Sequence, residues 1–402
     1  MQLVERHIIN KNHKLYKECD RLSWLSKNLY NQANYYIRQE FINNGKYLNY
    51  FDINKIMISE QNENYIALPR KVSNGTLRLL DKNWKSFFRS IKDWKKNKSK
   101  YLGIPKLPKY KDSIDGRFIV HYEKGAISTK ELKNNKIKLS KSIIEFNTKI
   151  NLDNLIATRI VPNKSHFILE VIYEKEIINQ ELDTNNIIGI DLGVNNLMSC
   201  STKNESFIIN GKPLKSINQF YNKKISKMKP NNKKYSKNML RMTNKRNNKV
   251  NDYVHKSTKH IINYCLTNNI GKLIIGNNKN WKQNSNLGKR NNQNFVNIPF
   301  ASIINKLKYK CELFGIEFIE TEESYTSKCS FIDNEEIKYH EEYVGERIKR
   351  GLFRSKSGYL INADINGSLN IIRKVVPLFN IKELNYGIEG VAVHPILIKT
   401  FY

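Results

Sequence analysis

The sequence predicts an α/β protein preceded by a helical block and a small β part. Three observations carry this. Apolar residues recur at intervals of three and four through residues 12–38 and 77–94, and alternate with polar ones from about Asp115 to Glu176. After a polar run at Glu176–Asn186, apolar strands and apolar helices follow one another almost to the end. Spacings of 3.6 and 2 mark helices and half-buried strands, and strand–helix alternation marks an α/β unit with a mostly parallel core.

Leu15, Leu22, Leu29, Ala33 and Ile37 form the stripe of the first helix; Leu77, Leu80, Trp84, Phe87, Phe88, Ile91 and Trp94 form that of a second. The aromatics of the second read as helix–helix core. Its other face, with Lys82, Lys85, Arg89, Lys92, Lys95 and Lys96, also fits a nucleic-acid backbone. The two prolines of GIPKLPKYK (103–111) stop the helical block. Phe118/Val120/Tyr122, Ile137/Leu139 and Phe167/Leu169/Val171/Tyr173 then alternate, with a turn at Pro162-Asn163-Lys164, which predicts a small antiparallel barrel or sandwich. If Met1–Asn10 adds a strand, the helical block is an insertion into it.

Beyond the linker, Asn186–Val194 is an apolar strand interrupted by Asp191. A helix at Val254–Cys265, a strand at Lys272–Ile275, a helix at Phe300–Phe314 and a strand at Ile316–Thr321 follow. Residues 324–360 are polar, aromatic and irregular, and a last helix runs from about Asn366 to Val375. The short apolar run Val391–Ile398 reads as a segment docking on the domain. No internal repeat is present.

Among 402 residues, 69 Lys and Arg face 37 Asp and Glu, a net charge of +32. Such a surface attracts polyanions, and nucleic acid is the natural one because neutralised phosphates release counterions. Heavy use of Asn, Lys and Ile also fits compositional drift, but the eleven Lys and Arg between Lys223 and Lys249 occur without one acid. Drift that adds lysine does not remove every carboxylate. No stretch approaches the 18 apolar residues of a membrane span, and the start lacks a secretory core. The five cysteines are scattered and never form C-x-x-C, so a disulfide framework is excluded and a reducing cytoplasm, with nucleoid association, is expected.

Three acidic positions stand out. Asp191, in I-G-I-D-L-G-V (188–194), lies inside an apolar strand, where an unpaired carboxylate is costly; it reads as a turn cap or as a metal ligand. Asp364 opens the last helix, as an N-cap or as a ligand. Glu320, Glu322 and Glu323 cluster after a strand, as a solvated acidic loop or as ligands. Oxygen donors without Cys or His suit Mg²⁺ or Mn²⁺, and paired ions on a sheet edge are suited to phosphodiester hydrolysis.

These segments resemble the RuvC/RNase H-like nuclease domain of the transposon-encoded TnpB proteins, relatives of type V CRISPR effectors. The resemblance rests on IGIDLGVNN (188–196), SKNMLRMTNKRNNKVNDYVHKSTKHI (236–261), YTSKCSF (325–331) and NADINGSLNI (362–371), with a looser match across 68–111. It implies a wedge-like β-barrel (1–14 and 109–185) interrupted by a helical recognition domain (15–108), then a nuclease domain (186–402) with a target-binding insertion at 324–360. It also implies a guide RNA derived from the transposon end, double-stranded target DNA, catalytic and metal-holding Asp191, Glu323 and Asp364, and a ribonucleoprotein expected to be monomeric.

Two departures from the family pattern matter. Many TnpB chains carry the middle glutamate at the end of the strand that here reads Leu273-Ile-Ile-Gly276-Asn277, with no acid. A subset resembles this chain in having one two residues before Tyr-Thr-Ser, so Glu323 is assigned, with Glu322 and Glu320 behind it. Family members often have two C-x-x-C pairs before the final Asp; here only Cys329 and His340 stand in that stretch, too few for a structural zinc. The expectation is therefore no zinc, with residues 326–360 held by hydrogen bonds and aromatic packing. Trp281, Lys282, Tyr325, Lys328, Arg347, Lys349 and Arg350 are the expected nucleic-acid contacts; core packing for Trp281 and a solvated loop for 345–351 fit too.

The function expected is an RNA-guided, Mg²⁺-dependent DNA endonuclease of an insertion-sequence transposon. A catalytically silent RNA-guided repressor is the alternative, favoured by Gly276, and a strand-transferring transposase is a third.

Overall fold

The computed structural model describes residues 1–228, 236–278, 288–380 and 392–398. The chain divides into two compact units, Met1–Lys175 and Glu176–Tyr402.

The first unit runs β1 (Gln2–Asn10), α1 (Tyr16–Asn44), α2 (Tyr50–Ser59), α3 (Glu63–Ala67), α4 (Arg70–Lys96), β2 (Val120–Glu123), α5 (Thr129–Lys133), β3 (Lys136–Lys138), β4 (Glu145–Asn147), β5 (Leu155–Pro162) and β6 (His166–Glu174). Helix α1 stops at Gly45, whose left-handed φ of 66° lets its N–H return to Phe41 O at 3.1 Å. Helix α2 starts with a capping box between Asn49 and Asp52. The α4 aromatics go inward: Trp84 is fully buried and donates to Asn34 Oδ1 at 2.9 Å, while Phe87 and Phe88 pack against the same core. Lys82, Lys85, Arg89, Lys92, Lys95 and Lys96 all lie outward.

The strands form an antiparallel sheet ordered β1-β6-β5-β2, with β3 and β4 as a separate two-stranded ribbon. Closure into a barrel is not seen: β1 and β2 stand at opposite edges, and no ladder joins them among the described residues. Strand β2 is only four residues long and passes straight into a short helical turn, too little chain to curl round to β1.

The second unit contains β7 (Asp183–Leu192), β8 (Asn196–Ser201), β9 (Ser206–Asn210), α6 (Lys212–Met228), α7 (Lys237–Thr267), β10 (Ile270–Gly276), α8 (Lys289–Asn297), α9 (Phe300–Phe314), β11 (Glu317–Thr321), β12 (Glu346–Lys349), β13 (Leu352–Arg354), β14 (Leu360–Asn362), α10 (Ala363–Val375) and β15 (Ile396–Ile398). Its sheet is ordered β11-β10-β7-β8-β9-β15. Strands β11, β10 and β7 are parallel, β7-β8-β9 is an antiparallel meander, and β15 lies parallel to β9. Three of the five ladders are thus parallel among the described residues, in keeping with the mostly parallel core that the sequence predicts. Strands β8 and β9 escape the sequence pattern because they are buried on both faces and show no alternation.

Strand alternation sorts the central residues by face. Ile188, Ile190, Leu273 and Ile275 join the core made with α7 and α9, whereas Ile187 and Ile274 pack on Ile371 and Ile372 of α10. Asp191 and Gly276 share the parity of the second set and so belong to the α10 face. Gly189, between them, lets α10 come close: a Cβ there would stand 2.6 Å from Ser368 O.

Candidate metal-binding carboxylate site

Asp191 occupies the end of β7, paired across the ladder with Ser199. It is a strand residue, not a turn cap. Helix α10 begins beside it. The N-cap is Asn362, whose Oδ1 accepts from the N–H groups of Asp364 and Ile365 at 3.0 and 3.2 Å. Asp364 is thereby relieved of capping. Its Oδ2 accepts from Asn196 Nδ2 at 2.7 Å and its Oδ1 from Arg347 Nη2 at 3.2 Å. Helix α10 approaches Asp191 closely enough that a Cβ at Gly367 would be 3.1 Å from Asp191 Oδ2.

Glu323 follows β11. Its side chain lies over Gly276 at the end of β10: a Cβ on residue 276 would collide with Glu323 Cγ and stand 2.5 Å from Oε1 and 2.7 Å from Ile371 Cδ1. The carboxylate absent from β10 is replaced in space by one reaching in from the next strand. Of the clustered acids, Glu323 is the one near Asp191. Glu320 has the opposite strand parity, takes a hydrogen bond from Asn277 at 3.0 Å and faces Lys308 on α9 at 3.8 Å. The side chain of Glu322 is exposed.

The electrostatics follow from this crowding. Desolvation, then Glu323 and Asp364, push the Asp191 carboxyl well above the usual carboxylate range, and Arg347 only partly offsets them. Burial pushes Glu323 up to about 7, against the pull of Lys374. Glu323 Oε1 is buried and makes no hydrogen bond among the described residues. The raised carboxyls of Asp191 and Glu323, with an orphaned buried oxygen on Glu323, are what a hard divalent cation would satisfy, so the donor set fits Mg²⁺ or Mn²⁺. Among the described residues no three such side chains are yet closed around one point; Arg347 and Asn196 engage both oxygens of Asp364.

Helix α10 also fixes the loop carrying Glu323. Asn366, Asn370 and Arg373 lie at i, i+4 and i+7 on one face and are buried. Asn366 donates to Cys329 O at 2.9 Å and accepts from Phe331 N–H at 3.0 Å. Asn370 donates to Thr326 O and Cys329 O at 2.9 and 2.7 Å, and Arg373 to Phe331 O and Glu335 O. Thr326 Oγ1 in turn donates to Glu323 O at 2.8 Å. In the sequence the only signal of these three residues is polar side chains at helical spacing in an otherwise apolar helix.

Residues 326–360 are tied by carboxylates. Asp333 accepts from Ser330 Oγ (2.6 Å), Lys356 N–H (2.7 Å), Ser357 N–H (3.3 Å) and Ser357 Oγ (2.9 Å). Its carboxyl is held below the usual range, since these bonds outweigh desolvation. Glu335 accepts from the N–H groups of Ser330 and Val344 at 2.6 and 2.9 Å. Cys329 Sγ and His340 Nε2 both contact Glu336 O, at 3.4 and 2.8 Å.

The expected nucleic-acid contacts are dispersed. Trp281 and Lys282 lie outside the described residues. Tyr325, at φ 65°, is exposed and meets Tyr339 edge-on, and Lys328 lies over the Tyr343 ring. Lys349 and Arg350 are exposed beside Arg347.

The profile of a probable transposase family, OrfB_IS605, matches residues 170–282, and that of the Cas12f1-like TNB domain matches residues 300–371. Together these two matches support a TnpB-like family. No curated protein matches it. Among solved structures it is similar to the Cas12f1 protein of a Cas12f1–sgRNA–target DNA complex, at 18% identity over 89% of this chain and 82% of that one, with a TM-score of 0.54. It is also similar to the mini-RNA-guided endonuclease CRISPR-Cas_phi3, at 10% identity over 94% and 92%, with a TM-score of 0.55. The chain therefore shares the mixed α/β fold of these two structures, with which a RuvC-like arrangement is consistent. No helix among its described residues is long and apolar enough to cross a membrane.

Proposed function

We propose that the chain is an RNA-guided DNA endonuclease of a transposon, using Asp191, Glu323 and Asp364 to hold divalent cations. The observation that supports this reading is that Asp191, on β7, feels both Glu323 from the loop after β11 and Asp364 from the start of α10, in a protein of net charge +32. A scaffold that only bound nucleic acid would gain nothing from gathering negative charge at one sheet edge.

Bound Mg²⁺ or Mn²⁺ would supply an activated water and charge stabilisation for the leaving oxygen. The chain's residues do the remaining work. Asp191, on the rigid central strand, and Asp364, fixed by Asn196 and the helix cap, set the donor positions; Glu323 completes the set from the neighbouring loop. Exposed lysines and arginines, among them Lys328, Lys349 and Arg350, offer phosphate contacts. By analogy with the complexes of its structural neighbours, guide RNA and double-stranded DNA are the partners, and the protein acts as a cytoplasmic ribonucleoprotein. The three-part organisation, with 15–108 as recognition domain and 324–360 as target-binding insertion, belongs to the same proposal.

The test uses the protein purified with its co-expressed RNA and a matched DNA target. Cutting in Mg²⁺, none in EDTA, and loss of cutting with retained DNA binding in Asp191→Ala support the proposal. A double-strand cut by Asp191→Ala overturns it. Target binding without cutting by the unaltered protein leaves the guided repressor.

A further inference from the structure

At the end of β10 the chain turns off with Asn277 and Asn278, and their amides diverge. Asn277 continues the parallel ladder, its N–H donating to Thr321 O at 2.8 Å, and its side chain turns to Glu320. Asn278 turns the other way. Its Oδ1 accepts from the Glu323 N–H at 3.1 Å, and its Nδ2 donates to Glu323 Oε2 at 3.3 Å. One planar amide therefore holds both the backbone and the carboxylate of the same residue. Only one amide orientation satisfies both contacts, since the N–H requires an acceptor and the carboxylate a donor.

Glu323 needs such a grip more than its partners do. Asp191 rides on a central strand and Asp364 on the first turn of a helix, each on a short side chain. Glu323 projects from a loop on a longer one, with more rotamer freedom to freeze. Gly276 leaves its carboxylate room, Ile371 walls one side, and Asn278 takes Oε2. The buried Oε1 remains without a hydrogen bond among the described residues. With one oxygen tied and one open, the carboxylate offers a single oxygen to a cation, in monodentate fashion.

We propose that Asn278 is the positioning residue that orients Glu323 towards the divalent cation. The proposal rests on the reading of Glu323 as a metal ligand. Outer partners of ligating carboxylates typically contribute 10–100-fold to metal affinity.

The test is a Mn²⁺ titration of the full-length chain without nucleic acid, followed by electron paramagnetic resonance of the free ion, with thermal melting as a fold control. Asn278→Ala is expected to weaken Mn²⁺ binding about tenfold, and Glu323→Gln at least as much. Adding Asn278→Ala to Glu323→Gln is expected to change nothing further, because the amide acts only through that carboxylate. Asn278→Ser, too short to span both contacts, is expected to behave as Asn278→Ala and serves if the alanine variant melts early. Equal losses from Asn278→Ala in both backgrounds, or no loss in the unaltered one, overturn the positioning role alone. Unchanged Mn²⁺ binding in Glu323→Gln overturns the ligand reading and this proposal with it.

Discussion

The Arg347 guanidinium reaches 3.2 Å to Asp364 Oδ1. It also lowers the proton affinity of Asp191, so a single cation from β12 serves two carboxylates of the site.

Arg347 stands where a divalent cation has a stronger claim. Replacing it should therefore tighten ion binding in the nucleic-acid-free chain. The pair is half exposed, and such pairs contribute about 0.2–1 kcal/mol, so Arg347→Gln is expected to lower the half-saturating Mn²⁺ concentration by roughly two- to fivefold. Calorimetric titration measures this, and weaker binding in the variant would contradict it.

Gly276→Ala carries the opposite sign. The added methyl needs no unusual backbone angle but meets Glu323 Cγ and the buried Ile371 Cδ1, an overpacking that should cost about 1–3 kcal/mol and lower the melting temperature without unfolding the chain. Displacing Glu323 should also reduce DNA cutting at least tenfold. Measuring both on one preparation separates displacement of the carboxylate from loss of fold.

Asn370→Leu removes the donor shared by Thr326 O and Cys329 O; Cys329 O keeps Asn366 Nδ2, but Thr326 O loses this donor inside a buried contact. The expected destabilisation is about 1–3 kcal/mol, seen as a lower denaturation midpoint and faster hydrogen exchange at residues 326–331. Cutting should fall too, because this loop presents Glu323.

Proton linkage gives a pH signature. Glu323 has its carboxyl raised from 4.5 to about 7 in the fold, and Asp191 is raised as well. Between those values the folded chain binds more protons than the unfolded chain, so stability falls as pH rises. In EDTA the melting temperature should decline from pH 5 to pH 7.5; with saturating Mg²⁺ the decline should shrink or reverse. A flat profile in EDTA would contradict the raised carboxyls.

The sequence was legible where periodicity was strong. Helices α1, α4 and α9, strands β6 and β10, and the exceptional Asp191 all follow from spacing and chemistry. It was mute where burial removes alternation, as in β8 and β9, and where two acceptors compete, as when Asn362 rather than Asp364 caps α10. Glu323 was reached through resemblance; the reason it can serve, the empty volume above Gly276, arises from two strands meeting. Asn278 was unreadable for the same reason, since its grip joins residues 45 positions apart.

Strand β15 adds its three residues to the outer side of β9. In so doing it shields hydrogen-bonding groups that would otherwise recruit a foreign strand. Deleting residues 396–402 would bare that margin while leaving Ala392 packed against Ile365 and Leu369 of α10, so the shortened protein should self-associate in proportion to its concentration.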